Sequence, residues 1–210
     1  HDNTIVLDGS PMCKILDFDP ENMMVTAQCG VALEYLENYL NERGYTTGHF
    51  PQSLPMAQLG GLTATRSIGQ FSTFYGGIED MIVGLEAVLP DGRVIRIKNV
   101  PRRAAGPDIR HIFIGNEGAL AFITEVTLKL FPYKPENRWM CAYSVPTMVD
   151  GLKALREVLV AGYKPAVARL HDSYQAEHDY KEFVKPGEAI FICITEGPAE
   201  ISKATGHAVD

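Results

Sequence analysis

One stretch of this chain carries most of the residue types that bind ligands, and it runs from Gly44 to Gly77. It contains seven glycines, two prolines and many hydroxyl side chains, and Arg66 is its one ordinarily charged residue. Glycine lets the main chain approach a ligand closely, and small hydroxyl residues offer donors without bulk. Long neutral loops inside a patterned domain usually bind ligands. We therefore expect this stretch to wrap a large polar ligand, and a dinucleotide pyrophosphate fits that description.

Strands and helices predicted from apolar periodicity and turn residues flank this stretch on both sides. On the N-terminal side we predict strands at residues 4–7, 12–18 and 23–28, and a helix at 31–43 that ends before Gly44. On the C-terminal side we predict strands at 81–89, 94–97 and 122–130, and a short helix at 107–114.

A second set of elements begins after Pro132 and Pro135, two prolines that mark the predicted domain boundary. There we predict strands at 139–145, 166–170 and 188–195, a helix at 148–161 and the start of another at Pro198. A short polar helix or loop separates the last two strands. This order favours an α+β fold with two partial domains, at residues 1–135 and 136–210.

Composition excludes several classes of protein. The net charge of −7 argues against a nucleic-acid surface. The four cysteines lie far apart, which is neither a disulfide framework nor a zinc pattern and favours a reducing, cytoplasmic location. No apolar run is long enough to predict a membrane span. Because the chain begins with histidine and its first residues already suggest a strand, we expect an internal fragment of a larger protein.

Three segments together resemble a known family. They are VTAQCGVALEYLENYLNERG (25–44), GGLTATRSIGQFSTFYGGIEDMIVGLEAVLPDGRVI (60–95) and FIGNEGALAFITEVTLKLFP (113–132). They resemble the FAD-binding domain of vanillyl-alcohol-oxidase-type (PCMH-type) flavoproteins, and the stretch from Gly48 is most similar to the alkyldihydroxyacetonephosphate synthase branch. The resemblance implies the latter part of that α+β domain, without its first phosphate loop, followed by the start of an α+β substrate (cap) domain.

The resemblance also implies a flavin cradle assembled from three stretches. The implied FAD-binding residues are Gln52, Ser53, Leu54, Pro55, Met56, Ala57 and Gln58, then Gly60, Gly61, Ala64, Thr65, Arg66, Ser67 and Gly69, and then Glu117, Gly118, Ala119, Leu120, Ala121, Phe122 and Ile123. Ala121 departs from the family pattern, which often has glycine there. These stretches contain no histidine or cysteine, so we expect non-covalent FAD, held weakly by this fragment alone.

Other side chains allow two interpretations each. Arg169 is a charge in an apolar strand, and it is either a substrate contact or a salt-bridged arginine at a strand edge. The position of Arg66 inside the glycine-rich stretch favours a ligand-binding or local role over a surface role. Glu79 and Asp80 are expected to cap or anchor the strand that follows them. We expect Cys29 to be a small buried hydrophobe, and no metal site at His171 and His178.

The expected function is therefore an FAD-linked oxidoreductase acting on a small hydroxy acid or alcohol. Two alternatives stay open: a synthase-like, FAD-dependent transferase, and a non-catalytic piece that has lost its flavin. The expected partners are FAD and a small-molecule substrate, and a homodimer of the full-length protein is left open. We assign no catalytic residue, since the family's catalytic groups usually follow the part of the chain seen here.

Overall fold

The computed structural model describes residues 5–102 and 104–209, which form two compact units. Unit 1 comprises residues up to 69 together with 75–132, and unit 2 comprises residues 70–74 together with 133 onwards. Each unit combines helices with an antiparallel sheet. The α+β class predicted from the sequence is confirmed.

Unit 1 is built around a five-stranded sheet in which the longest strands are central. In chain order its elements are β1 (Ile15–Asp19), β2 (Met24–Gln28), α1 (Leu33–Asn41), β3 (Tyr45–Thr46), α2 (Leu59–Ala64), α4 (Ile78–Met81), β4 (Ile82–Val88), β5 (Val94–Ile97), α5 (Arg110–Phe113), β6 (Phe122–Lys129) and β7 (Phe131–Pro132). The helix α3 (Ser72–Tyr75) comes between α2 and α4 in the chain, and its residues 72–74 belong to unit 2. The sheet order is β1-β2-β6-β4-β5, and β3 pairs separately with β7. Helix α1 contributes Leu33, Leu36 and Leu40 to the core of this unit, and all three side chains are fully buried.

A buried carboxylate orders the chain where it enters the glycine-rich stretch. Glu37 on α1 is 2% exposed and accepts hydrogen bonds from the Thr46 hydroxyl at 2.8 Å and the Thr47 amide at 2.8 Å. The Thr47 hydroxyl also donates to it, and the Gly48 amide donates to the Thr46 hydroxyl at 3.0 Å. An ionised carboxylate only accepts, so it matches this set of donors. The network fixes the start of the loop to α1.

Unit 2 is a three-stranded sheet with helices packed on it. Its elements are a 3₁₀ turn (Pro135–Asn137), β8 (Trp139–Val145), α6 (Met148–Val160), β9 (Val167–His171), α7 (Ser173–Asp179), β10 (Ala189–Thr195) and α8 (Ala199–Val209). The sheet order is β8-β10-β9, and both pairings are antiparallel. Thr147 and Asp172 cap the starts of α6 and α7 by accepting from main-chain amides, as their residue types favour.

Several details differ from the sequence-based prediction. The strand predicted at 12–18 is β1 at Ile15–Asp19, and the helix predicted at 107–114 is shortened to α5 at Arg110–Phe113. Residues 5–7 form no strand, and Thr4 lies outside the described residues. The glycine-rich stretch, predicted as a loop, contains the short helices α2 and α3 and leads directly into α4. Glycine disfavours helices. Burial of Leu59, Leu62 and Thr63 against the sheet outweighs that preference in α2.

Replacing Glu37 by leucine should lower the free energy of unfolding of the full-length protein by about 3 kcal/mol or more. Two hydroxyls and one amide would lose their acceptor in the core. Urea denaturation followed by circular dichroism measures the change. Glu34 is exposed on the same helix, and Glu34→Leu should shift the free energy by less than about 0.5 kcal/mol. Equal effects of the two substitutions would contradict the anchoring role of Glu37.

Candidate functional site

A groove of about 300 Å³ lies in unit 1 between α2 and the segment that enters β6. One wall is formed by Gln58, Gly60, Gly61 and Ala64, at the start and along one face of α2. The opposite wall is formed by Glu117, Gly118, Ala121, Phe122 and Ile123. Among the described residues of this lining, Glu117 is the one with a carboxyl group, and the others carry no formal charge.

The first wall depends on a close approach between α2 and the end of β2. The Gly60 amide donates to the Cys29 carbonyl at 2.7 Å, and the Leu59 amide donates to the Val31 carbonyl at 3.0 Å. A Cβ at position 60 would lie 2.7 Å from the Cys29 Cβ, closer than real side chains come. Glycine at 60 is therefore required for α2 to sit where it forms the wall.

The second wall is attached to the C-terminal end of α2. The Gly115 amide donates to the Thr63 carbonyl at 3.0 Å, and the Glu117 amide donates to the Ala64 carbonyl at 2.9 Å. These bonds satisfy helix-end carbonyls that would otherwise lack partners. Arg66 and Glu117 both have a φ of 51°, a left-handed conformation that is uncommon outside glycine. Such strained positions cluster at ligand sites.

The groove brings together nine of the residues assigned to FAD from the sequence, but not all of them. Thr65, Arg66, Ala119 and Leu120 line a separate hollow of about 570 Å³ in the same unit. There the Arg66 Nη2 donates to the Ile114 carbonyl at 3.3 Å, so this side chain also ties the two walls together.

The remaining assigned residues lie outside the groove lining. Gln52, Ser53, Leu54, Pro55 and Met56 form successive turns before α2, and the Ala57 carbonyl accepts from the Leu33 amide at 2.8 Å. Ser67 and Gly69 follow α2. Gly69 is buried so tightly that a Cβ there would lie 2.7 Å from the Phe50 nitrogen. The structure thus gives Gly69 a packing role.

The groove residues fit a flexible polar cofactor such as FAD. A Cβ built on Gly61 or on Gly118 meets no atom within 4 Å, so both glycines open onto free space. Gly118 also has a φ of 80°, which favours glycine. Ala121 is 5% exposed and its methyl group occupies part of the groove wall. Main-chain groups and small side chains of this kind orient a flavin while the cofactor supplies the chemistry.

Sequence analysis missed three groove residues, which are Leu7, Gly9 and Cys29. The turn dipeptide Asp8-Gly9 and the Cys29-Gly30 pair at the end of β2 were the available signals. Gly30 allows the N-terminal segment to pack closely, because a Cβ at position 30 would clash with the Gly9 carbonyl oxygen. Burial raises the pKa of the Cys29 thiol, which therefore stays protonated and weakly nucleophilic. The expectation that Cys29 is buried is confirmed, at 5% exposure.

A histidine that sequence analysis did not single out lies inside unit 1. His49 is fully buried, and its Nε2 is 3.2 Å from the Ser67 hydroxyl oxygen. Its Nδ1 has no hydrogen-bond partner among the described residues. Burial lowers the pKa of His49 from 6.5 to about 4, so its ring is neutral near pH 7.

Other candidate residues have structural partners in the part of the chain that is described. Asp80 accepts from the Gly77 amide at 3.0 Å. Tyr75, in the same stretch, is buried against Phe131, with ring centroids 4.7 Å apart. In unit 2 the Arg169 Nη1 donates to the Gln70 side-chain carbonyl at 3.4 Å.

Across residues 5–102 and 104–209, no group of three or more His, Cys, Asp or Glu side chains forms a metal site. Within the same residues, no helix is long and apolar enough to cross a membrane.

Comparison with protein families gives a match that covers the first wall of this site. A model described as an FAD binding domain matches residues 1–98, which include β2, α1 and the α2 wall. Residues 1–98 thus match an FAD binding domain, as the resemblance predicted. FAD is the cofactor of this family, and the cofactor expected from the sequence is confirmed.

Individual relatives agree with that family. The chain is 60% identical over 208 residues to a protein of Escherichia coli O157:H7 named uncharacterized FAD-linked oxidoreductase YgcU, covering 99% of this chain and 43% of that protein. It is 40% identical over 171 residues to the alkyldihydroxyacetonephosphate synthase of Caenorhabditis elegans, covering 81% of this chain and 28% of the synthase. The chain thus spans less than half the length of these relatives.

A solved structure shows the same architecture. An alkyldihydroxyacetonephosphate synthase matches with a TM-score of 0.82 and 28% identity, covering 95% of this chain and 39% of that structure. The chain is thus related to FAD-linked oxidoreductases and to this synthase.

Two adjacent glycines give a direct test of the wall. Gly60→Ala should lower the free energy of unfolding by about 2 kcal/mol, because its Cβ meets Cys29, whereas Gly61→Ala should leave it unchanged or slightly higher. Urea denaturation of the two full-length variants measures the difference. Equal stability of the variants would show that the close approach at Gly60 is not required.

The buried histidine predicts a pH dependence of stability. Because the folded pKa of about 4 lies below the ordinary 6.5, the unfolded state binds more protons between these values. The contribution of neutral His49 to the free energy of unfolding is therefore complete above pH 6.5 and decreases as the pH falls toward 4. Between about pH 7 and pH 4.5 the full-length protein should lose roughly 2–3 kcal/mol more than His49→Gln. Parallel pH profiles from urea denaturation would contradict this assignment.

Proposed function

We propose that the full-length protein is an FAD-linked oxidoreductase acting on a small hydroxy acid or alcohol, and that unit 1 supplies one side of its FAD site. The observation that carries this proposal is the groove of unit 1. Nine of its lining residues are residues assigned to FAD from the sequence. The 60% identity to a protein named as an FAD-linked oxidoreductase supports the reaction type.

In this proposal the chain binds and orients the cofactor through its main chain and small side chains. Gly60 and Gly61 allow close approach on the α2 wall, and Gly118 does so on the opposite wall. FAD, when bound, supplies the redox chemistry by accepting two electrons from the substrate. We propose non-covalent attachment, since Cys29 is the groove thiol and burial raises its pKa. We also propose that this chain alone binds FAD weakly, because it supplies only part of the cradle.

A second candidate function is an FAD-dependent transferase that catalyses no net oxidation. The 40% identity to the Caenorhabditis elegans synthase and the TM-score of 0.82 to a synthase structure favour it. Anaerobic mixing of the purified holoprotein with hydroxy acids and alcohols separates the candidates. Bleaching of the flavin absorbance by one of these compounds supports the oxidoreductase. Flavin absorbance that persists with every compound tested favours the transferase. A full-length protein without flavin would support the non-catalytic alternative.

The proposed partners are FAD and a small-molecule substrate. The net charge of −7 disfavours nucleic acid, and the scattered cysteines support a proposed cytoplasmic location. A homodimer of the full-length protein remains a proposal, which sedimentation of the purified protein tests.

Arg169 is the proposed substrate contact in unit 2. It lies on β9, an edge strand of its sheet, and is half-buried, so its guanidinium group is accessible beside Gln70. A planar guanidinium group suits a carboxylate or a phosphate. The competing interpretation is a structural arginine at the strand edge.

Replacing Arg169 by alanine in the full-length protein should raise KM for an anionic substrate about tenfold or more and leave the flavin content unchanged. Steady-state kinetics and the flavin-to-protein absorbance ratio measure the two effects. Arg156 is exposed on α6, so Arg156→Ala is the matched control and should change neither. Unchanged kinetics, or loss of soluble Arg169→Ala protein, would favour the structural interpretation.

The groove itself is tested by filling it. Gly61→Leu places a side chain in open space, so the protein should keep its stability while its affinity for FAD falls about tenfold or more. Titration of flavin-free full-length protein with FAD, followed by flavin fluorescence, measures the affinity. Glu34→Leu adds the same side chain to an exposed helix position and should bind FAD normally. Wild-type affinity in Gly61→Leu would exclude this groove as the FAD site.

A further inference from the structure

Two of the four cysteines face each other across neighbouring strands of unit 2. Cys141 on β8 and Cys193 on β10 are separated by 52 positions in the chain, yet they are directly opposed in the antiparallel register. Residues opposed in such a ladder point to the same side of the sheet, and their Cα atoms lie about 4.5 or 5.5 Å apart. Both separations fall within the range of about 4.4–6.8 Å that a disulfide bridges.

The orientation and burial of the two side chains give them different roles. The Cys141 thiol donates to the Cys193 carbonyl at 3.8 Å, so its sulfur atom leans toward the opposite strand. Cys193 is fully buried, whereas Cys141 is half-buried on β8, which lies at one edge of the sheet. Both side chains are thiols in this structure. Cys141 is thus the accessible member of the pair, and Cys193 is the shielded one.

Neighbouring contacts hold β8 and β10 in the register that opposes the two cysteines. Trp139, opposite Thr195, packs so closely against α8 that a Cβ on Gly206 would lie 2.6 Å from its ring. One residue before it, the Arg138 guanidinium group is paired with the buried Glu196 carboxylate at 2.7 Å. Strand register is strongly specified where one face of a sheet is buried. A disulfide between the cysteines therefore requires no change in strand pairing.

We propose that Cys141 and Cys193 form a reversible oxidation site, at which a peroxide converts the two thiols into a disulfide that staples β8 to β10. The Cys141 thiolate attacks one oxygen of hydrogen peroxide and becomes a sulfenic acid, with loss of hydroxide. The Cys193 sulfur then attacks the sulfenic sulfur. The S–S bond forms, the S–O bond breaks, and the departing oxygen takes up the thiol proton and leaves as water. Two thiols and one hydrogen peroxide thus give one disulfide and two waters.

The disulfide would act on unit 2 and would leave the flavin groove without a direct role. Neither cysteine lines that groove, and both belong to unit 2. The bond would close a loop that contains α6, β9 and α7, which restricts the unfolded chain and stabilises the unit. Disulfides that form in reducing compartments are usually transient and redox-sensing, and a dithiol reductant reverses this one by thiol–disulfide exchange.

The test uses the full-length protein, treated with hydrogen peroxide, alkylated, and digested without reductant. Mass spectrometry should find a peptide pair that joins Cys141 to Cys193 and is lighter by two hydrogen atoms than the two thiol peptides together. Dithiothreitol should separate the pair. The midpoint of urea unfolding, followed by circular dichroism, should rise by about 0.5 M or more on oxidation. Cys13→Ser is the matched control, because it removes an exposed thiol of unit 1 and should leave both effects unchanged.

A second variant tests the order of the two steps. In Cys193→Ala the reaction should stop at the sulfenic acid of Cys141, which dimedone traps, and the urea midpoint should not rise on oxidation. If this variant does not fold, the wild-type protein decides, because its exposed Cys13 reports that the oxidant has acted. Oxidised Cys13 beside two unmodified thiols in unit 2, or Cys141 oxidised to a sulfinic acid beside an intact Cys193 thiol, would overturn the proposal. A cross-link that forms without a rise in the urea midpoint would contradict the stapling of β8 to β10.

Discussion

The close approach of α2 to the end of β2 is the constraint on which the groove depends. The Gly60 amide meets the Cys29 carbonyl at 2.7 Å, in a space that has no room for a Cβ. This contact sets the position of α2, and the carbonyls at the other end of α2 then hold the Gly115–Gly118 turn that leads into the second wall. Both walls are therefore positioned by main-chain hydrogen bonds, whose geometry does not depend on flexible side chains. A polar cofactor that needs orientation more than charge suits such a site.

A polar network in the interior supports the same region. Glu37 binds the start of the glycine-rich stretch, and His49 bridges from that start to Ser67 beyond α2. Buried polar groups stabilise a fold when their partners are satisfied and destabilise it when they are not. Glu37 has matching donors, whereas the Nδ1 of His49 has no partner among the described residues. A neutral imidazole is stable in that buried position at physiological pH. The same burial lowers the pKa of His49.

The sequence predicted the strands and long helices well because their apolar periodicity matches their buried faces, as in β6 and α1. It did not predict α2, because two glycines in six residues argue for a loop, and only the packing of Leu59 and Leu62 reverses that preference. The resemblance located the glycines and the 117–123 segment that line the groove. It could not identify Leu7, Gly9 or Cys29, since these residues join the site only through tertiary contacts. The buried position of His49 likewise depends on neighbours distant in sequence.

FAD is proposed to bind between the two walls of unit 1. Hydrogen exchange of the full-length protein with and without FAD tests this placement, because glycines on both walls leave the main chain close to a bound ligand. Bound FAD should slow exchange in peptides covering Gly60–Ala64 and residues 117–123 and leave exchange in the exposed α6 peptide of unit 2 unchanged. Tight FAD binding with no added protection in either wall would exclude the groove as the FAD site.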